Sequence, residues 1–243
     1  ALRVQATGPM LQLELWPGSP KDALRRLAHR RAEAVKATKA ARAAKPAQPG
    51  TATLRPRAIG RWEDLRAAVS EALEAALAGE TPVAWVPALG TTDRELADRV
   101  LAVAAVLPAP VPEGASERLR RLHAALEPIF KKHAALAVEE GIALVRPLFV
   151  ECPGERDAWL VRDEWFLGAD ILAAPVVKQG AKAREVWIPP GAWIDARKKP
   201  EEAATIRGPA RMQVEALPGD TALFVREETV EGLADVLAAM RME

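Results

Sequence analysis

Tyrosine is absent from the 243 residues, cysteine occurs once and histidine three times. The lone thiol, Cys152, has no partner for an internal disulfide, which excludes a disulfide-stapled scaffold. His29, His123 and His133 are too scattered for a structural zinc site, so neither a metal nor any other cofactor is expected. No apolar run approaches the roughly 18–20 residues that a membrane-spanning helix needs, and no membrane partner is expected. The chain opens Ala1-Leu2-Arg3, with neither a starting Met nor an apolar signal core. Any targeting segment is therefore expected to have been removed or never to have existed. One unpaired cysteine favours a reducing intracellular compartment or an organelle matrix.

What is present supports a globular protein. At 49% hydrophobic and 28% charged residues, the chain can bury a sizeable core. Alanine fills 50 positions and tryptophan seven, a bias that suits a GC-rich genome or a designed or truncated sequence. The formal net charge of +1 hides a strong asymmetry. Residues 21–61 carry twelve Lys or Arg against Asp22 and Glu33, a local +10, which leaves the other 202 residues at −9.

Along the chain, Leu11, Leu13 and Leu15 alternate with polar residues and predict a strand. Ser19 and Pro20 open a helix over about 20–44 whose second half is an Ala/Lys/Arg repeat with little apolar surface. Pro46 to Arg61 reads as an extended connector. Leu65, Val69, Leu73 and Leu77 predict a helix over 62–78 capped by Gly79, Pro82–Val86 a short strand, and Thr92–Val106 a helix capped by Thr91 or Thr92. Ser116 opens a long helix with Leu119, Leu122, Leu126, Ile129, Phe130, His133 and Leu136 on one stripe. Ile142–Val150 reads as a buried strand. Short β-like runs then alternate with Pro and Gly turns (171–177, 184–188, 211–215, 221–226), which suggests a small antiparallel sandwich before a closing helix over 231–242.

The segment Arg146–Asp195 holds four ordered motifs: Arg146-Pro147-Leu148, Asp163 to Gly168, Leu172 to Val176, and Pro189 to Asp195. This stretch resembles the junction between barrel and C-terminal sandwich in glycoside hydrolase family 31, the α-glucosidase and α-xylosidase family. Pro17 to Leu24 resembles that family's entry into the barrel, Trp62 to Leu65 a helix start, and Ala88-Leu89-Gly90 the loop after the seventh strand. The resemblance implies a (β/α)8 barrel, which takes about 250 residues. Fewer than 40 residues separate Leu24 from Trp62, so most of that barrel, with its nucleophilic aspartate, has no counterpart. The resemblance puts Arg57 at the acid/base position, Ala88 at the aspartate of the loop motif and Glu113 at a substrate-binding histidine. Retaining hydrolysis needs two carboxyl groups roughly 5 Å apart. An arginine cannot donate a proton near neutral pH, so no catalytic residue is expected.

Other candidates read as structure. Glu139-Glu140, Glu201-Glu202 and Glu227-Glu228 are sequence neighbours that do not face each other. His133 falls on the apolar stripe, Cys152 has no nearby histidine base, and Trp159, Trp165, Trp187 and Trp193 read as core in preference to a sugar-stacking surface. The basic arm is the exception. Arg25, Arg26, Arg30, Arg31, Lys36, Lys39, Arg42 and Lys45 spread uncompensated charge along a helix and are the candidate polyanion-binding residues. RNA phosphates or an acidic protein surface would suit them, with backbone contacts and no base reading.

These readings give an α+β fold: remnant βα units of a (β/α)8 barrel, a small antiparallel β-sandwich and a basic N-terminal helix. The expected divisions are a strand remnant at 1–19, a basic arm and linker at 20–61, remnant barrel units at 62–150, the sandwich at 151–230 and a terminal helix at 231–243. The leading functional expectation is a non-catalytic scaffold or accessory subunit derived from a family 31-like glycosidase. It would dock through its arm into a larger assembly, such as a ribonucleoprotein. The alternatives are a fragment of a split or assembled α-glycosidase, a non-catalytic sugar-binding module, and a designed or truncated chain with no evolved function.

Overall fold

The computed structural model describes residues 2–7, 10–15, 55–77, 85–111, 113–140 and 143–241. It divides into two units, Ala1–Thr51 and Ala52–Glu243. In the first, β1 (Leu2–Thr7) and β2 (Met10–Leu15) pair antiparallel, with Leu2 opposite Leu15 and Thr7 opposite Met10. The alternation of Leu11, Leu13 and Leu15 had marked β2; β1, whose Leu2 and Val4 sit among polar residues, was not anticipated. The expected basic helix at 20–44 lies outside the described residues.

The second unit begins with a strand where a connector was expected. β3 (Arg55–Ile59) runs parallel to β4 (Trp85–Leu89), with Arg57 opposite Pro87 and Ala58 opposite Ala88. Pro56, one of the prolines that suggested a connector, lies within this pair, as does Pro87; among the described residues the pair has two strands and therefore only edges, where proline is tolerated. β4 also ends later than the expected Val86. Between these strands lies α1 (Trp62–Leu77), which buries Trp62, Leu65, Val69 and Leu73. Asp64 accepts the N–H groups of Gly60 and Arg61 at 3.2 and 3.0 Å and so closes the helix start.

α2 (Arg94–Ala105) follows β4, but its cap is Asp93, not either threonine. The Asp93 carboxylate accepts the Leu96 N–H at 3.3 Å, and Thr91 Oγ1 accepts the Asp93 N–H at 3.0 Å. α3 (Glu117–Glu140) matches expectation, with Ser116 Oγ accepting the Leu119 N–H at 3.3 Å. Its stripe is buried at Leu119, Leu122, Leu126 and Phe130 and half-buried at Ile129, His133 and Leu136.

The expected strand over 142–150 shrinks to β5 (Val145–Pro147), because Pro147 has no N–H to continue a ladder and Leu148 starts the short helix α4 (Leu148–Glu151). β6 (Trp165–Leu167), β7 (Ile171–Ala174), β8 (Ala183–Asp195), β9 (Ile206–Glu215) and β10 (Ala222–Arg226) complete one antiparallel sheet of order β5-β6-β7-β10-β8-β9. The expected sandwich strands thus join by hydrogen bonds into a single six-stranded sheet. A bulge in β8 between Ile188 and Gly191 lets this happen. β8 pairs with β10 only through Trp193–Asp195, whereas Val186, Trp187 and Ile188, before the bulge, share a core cluster with Phe166, Leu172 and Phe224.

Strands β6 and β7 are buried on both faces, which is why they read as apolar runs without alternation. Leu167, Ile171, Ala173, Leu223 and Val225 share one cluster with α1, α3 and the closing helix α5 (Ala234–Arg241). α5 follows a 3-10 stretch, Glu227–Leu233, that takes up the first part of the expected 231–242 helix. Trp193, fully buried, alone represents about 2–3 kcal/mol of burial.

Candidate functional site

The candidate polyanion residues Arg25, Arg26, Arg30, Arg31, Lys36, Lys39, Arg42 and Lys45 lie outside the described residues. The positions at which the family resemblance expects catalytic groups are described: Arg57 on β3, Ala88 on the neighbouring strand β4, and Glu113 in the turn before α3. The C-terminal ends of β3 and β4 meet closely. Gly90 N–H donates to Ile59 carbonyl at 3.1 Å, and a Cβ on Gly60 would lie 3.3 Å from the Gly90 carbonyl oxygen. Parallel strands carry their chemistry at this end. Here, however, Asp64 and Asp93 are spent on helix starts, and Glu95 accepts the Gly180 N–H at 3.0 Å. Among the described residues, this edge presents no acid and base facing a common space.

The polar residues of the 146–195 motifs also hold structure. Arg146, 8% exposed, donates to the Ala143 carbonyl at 2.5 Å and pairs with Glu151. Asp195 receives Arg197 at 2.7 Å, and Arg197 reaches Asp220 at 3.6 Å. Asp163 pairs with Arg184 at 3.4 Å. Trp165, Trp187 and Trp193 are core residues and present no face to a sugar. Trp159 is half-buried and stacks on Phe149 at 4.5 Å.

His133 lies beneath Gly168, whose φ of +68° admits a turn that other residues resist; a Cβ there would meet His133 Nε2 at 2.6 Å. Burial, with Arg146 and Lys132 nearby, lowers the His133 pKa. His123 Nδ1 is 3.2 Å from the Ala105 carbonyl. Burial pushes the Cys152 thiol up to about 11, opposite to what a nucleophile needs. The paired acids Glu201-Glu202 and Glu227-Glu228 are exposed, and the side chains of Glu139-Glu140 lie outside the described residues. No cluster of three metal-binding side chains exists among the described residues.

Sequence reasoning missed two buried ionisable side chains, because each is explained by partners on other elements of the fold. Arg99, fully buried on α2, donates to the carbonyls of Leu217 at 2.6 Å, Ala181 at 3.0 Å and Ala216 at 2.5 Å. It fastens the βα part to the sheet. Glu164, 2% exposed, accepts Arg184 at 2.8 Å and the Trp187 N–H at 3.1 Å through Oε1. Burial pushes its carboxyl up to about 8, although Arg184 and the Trp187 N–H act in the other direction.

Residues 141–230 match the glycosyl hydrolase family 31 C-terminal domain. A sulfoquinovosidase of Agrobacterium fabrum is 32% identical over 113 residues, which are 46% of this chain and 16% of that enzyme. An alpha-glucosidase 2 of Bacillus thermoamyloliquefaciens is 36% identical over 61 residues, 25% of this chain and 8% of that enzyme. Among solved structures, a family 31 alpha-xylosidase from a soil metagenome, complexed with xylose, superposes with a TM-score of 0.61 at 24% identity. It covers 72% of this chain and 32% of that one. A family 31 sulfoquinovosidase from E. rectale gives 0.59 at 23% identity, covering 71% and 28%. The chain thus spans about a third or less of the length of these relatives. With the four motifs in the strands and turns of an antiparallel sheet, and with that domain match across 141–230, the chain is a relative of glycoside hydrolase family 31.

Proposed function

We propose that this chain supplies the C-terminal domain and the last two βα units of an α-glycosidase of family 31 type, whose catalytic carboxylates reside outside residues 55–241. The observation that carries this reading is the parallel pair β3–β4, which has no third strand among the described residues. Parallel strands are stable when both faces are covered and both edges are paired. Here Ile59 is buried against the helices, whereas Ala58 and Leu89 are exposed, Leu89 at 39%. Further βα units of a barrel are the natural cover for such a pair. The division of labour also explains why every described acid near the strand ends is a cap or an ion-pair partner.

A second reading, a non-catalytic scaffold docking through Arg25–Lys45 into a larger assembly, is favoured by one pair of residues. Arg57 and Ala88 occupy positions where the family resemblance expects carboxylates, and neither can transfer a proton near neutral pH. One experiment separates the two readings. A family 31 barrel fragment that lacks its last two βα units and C-terminal domain is mixed with this chain, and hydrolysis of an aryl α-glycoside is followed. Activity in the mixture and in neither component alone supports the glycosidase part. Stable association without activity supports the scaffold, and activity of this chain alone overturns both.

A further inference from the structure

β9 is an outer strand of the six-stranded sheet and pairs, among the described residues, with β8 alone. The register fixes which of its backbone groups β8 uses. Ala216 N–H donates to the Lys182 carbonyl at 3.0 Å, and the pairing runs back from Glu215 opposite Ala183 to Ala210 opposite Ile188. In an antiparallel ladder such bonded pairs alternate with unbonded ones. Val214, Met212 and Ala210 therefore turn their N–H and C=O groups to β8, and Glu215, Gln213 and Arg211 turn theirs outward. Two contacts agree with this phase. Trp187, opposite Arg211, donates its N–H to Glu164 at 3.1 Å and not to β9, and the outward Glu215 carbonyl accepts Arg197 Nη1 at 3.0 Å.

An open edge is a template for another strand. The first half of β9 is guarded, because Pro209 has no N–H and the β8 bulge lies beside it. Residues 211–215 have no such guard. They read Arg-Met-Gln-Val-Glu, which is complementary to itself about Gln213. When two copies run antiparallel with a two-fold axis at Gln213, Arg211 of each meets Glu215 of the other, Met212 meets Val214, and the outward N–H and C=O groups face one another. Moving the axis to Arg211 or Glu215 sets like charges face to face. Moving it to Met212 or Val214 leaves Arg211 or Glu215 facing Gln213. Opposite charges directly across a strand pair stabilise it, and like charges destabilise it.

The side chains suit the same register. Glu215 is exposed and makes no ion pair among the described residues. Arg211 pairs with Glu185 at 2.5 Å and Asp157 at 3.2 Å, and a guanidinium has N–H groups to spare for a further acid. Leu217, 53% exposed, comes beside Pro209 of the second copy.

We propose that two copies of this chain associate through β9, antiparallel about Gln213, so that their sheets join edge to edge. The assignment goes beyond the glycosidase reading and does not depend on it. Pairing over 211–215 buries a small interface, so the dimer is weak, with a Kd of about 10–100 μM.

Sedimentation velocity of the full chain across that range is the test, with far-UV circular dichroism as the check on folding. The unmodified chain sediments increasingly as a dimer with concentration. Gln213→Pro removes an outward N–H that β8 does not use, so the fold stays and Kd rises about tenfold or more. Glu215→Lys sets like charges opposite each other at both ends of the pairing and raises Kd about tenfold or more, and Arg211→Glu does the same. Mixing these two charge variants restores the dimer, because every charge across the axis is then opposed by its opposite. If Arg211→Glu fails to fold beside Glu185 and Asp157, or Gln213→Pro fails, the surface change Glu215→Lys decides. A chain that stays monomeric at about 100 μM overturns the proposal. So does a dimer that Gln213→Pro or Glu215→Lys leaves at full strength, which forms on another surface, and so does a mixture of folded charge variants that stays monomeric.

Discussion

Replacing Arg99 with alanine should cut the tie between the βα units and the sheet. Arg99 is fully buried and spends its guanidinium on three backbone carbonyls more than 80 residues away in sequence, at 2.5–3.0 Å. The bond to Ala216 is itself buried, so losing its donor costs about 1–3 kcal/mol, whereas the part-buried carbonyls of Leu217 and Ala181 can rehydrate at about 0.5–1 kcal/mol each. Relief of a desolvated charge offsets part of this; burial is also what lowers the Arg99 pKa. A net loss of about 3 kcal/mol follows. For a unit of this size it lowers the melting temperature by about 6–12 °C. Urea unfolding followed by tryptophan fluorescence measures it as a shift in midpoint at constant slope. Arg99→Met, which keeps the stem, should lose nearly as much, because the bonds and not the packing carry the effect. A loss below about 1 kcal/mol in both variants would refute this account of the clamp.

Glu164 makes stability fall as pH rises. Its folded carboxyl titrates near 8 against a reference of 4.5, so between these values the folded state holds a proton that the unfolded state has released. Stability is therefore highest below that window and levels off above it, and Glu164→Gln removes the slope in urea titrations across it. Gly168→Ala forces a Cβ to within 2.6 Å of His133 Nε2 at a φ of +68°, and a destabilisation of about 2 kcal/mol or more is expected in thermal melts. Cys152 should react with a thiol-specific disulfide reagent far more slowly in the native state than in urea, since its thiol is pushed up to about 11; equal rates would contradict its burial.

Much of this fold was legible because its elements obey local rules. α1 and α3 announced themselves by leucines at helical spacing, and the 146–195 motifs by their order. β3 was hidden because Pro56 signals a loop, and only the pairing with β4 across α1 makes it a strand. β5 was overestimated because an apolar run of strand length is also what the start of α4 looks like, and Pro147 decides between them. The single sheet in place of a sandwich depends on the β8 bulge beside Gly191, a register fact that periodicity does not encode. That Arg57 and Ala88 stand where the family resemblance expects carboxylates was legible by position. The roles of Arg99 and Glu164 were not, because their partners lie far along the chain or on neighbouring strands.

The central claim is that the carboxylates for glycoside cleavage are not supplied by residues 55–241. The most direct test is to incubate the purified chain by itself with an aryl α-glycoside and record release of the aryl alcohol. No release above buffer is predicted. Turnover that disappears when a described acid, Asp64 or Asp93, is changed to its amide would contradict the claim.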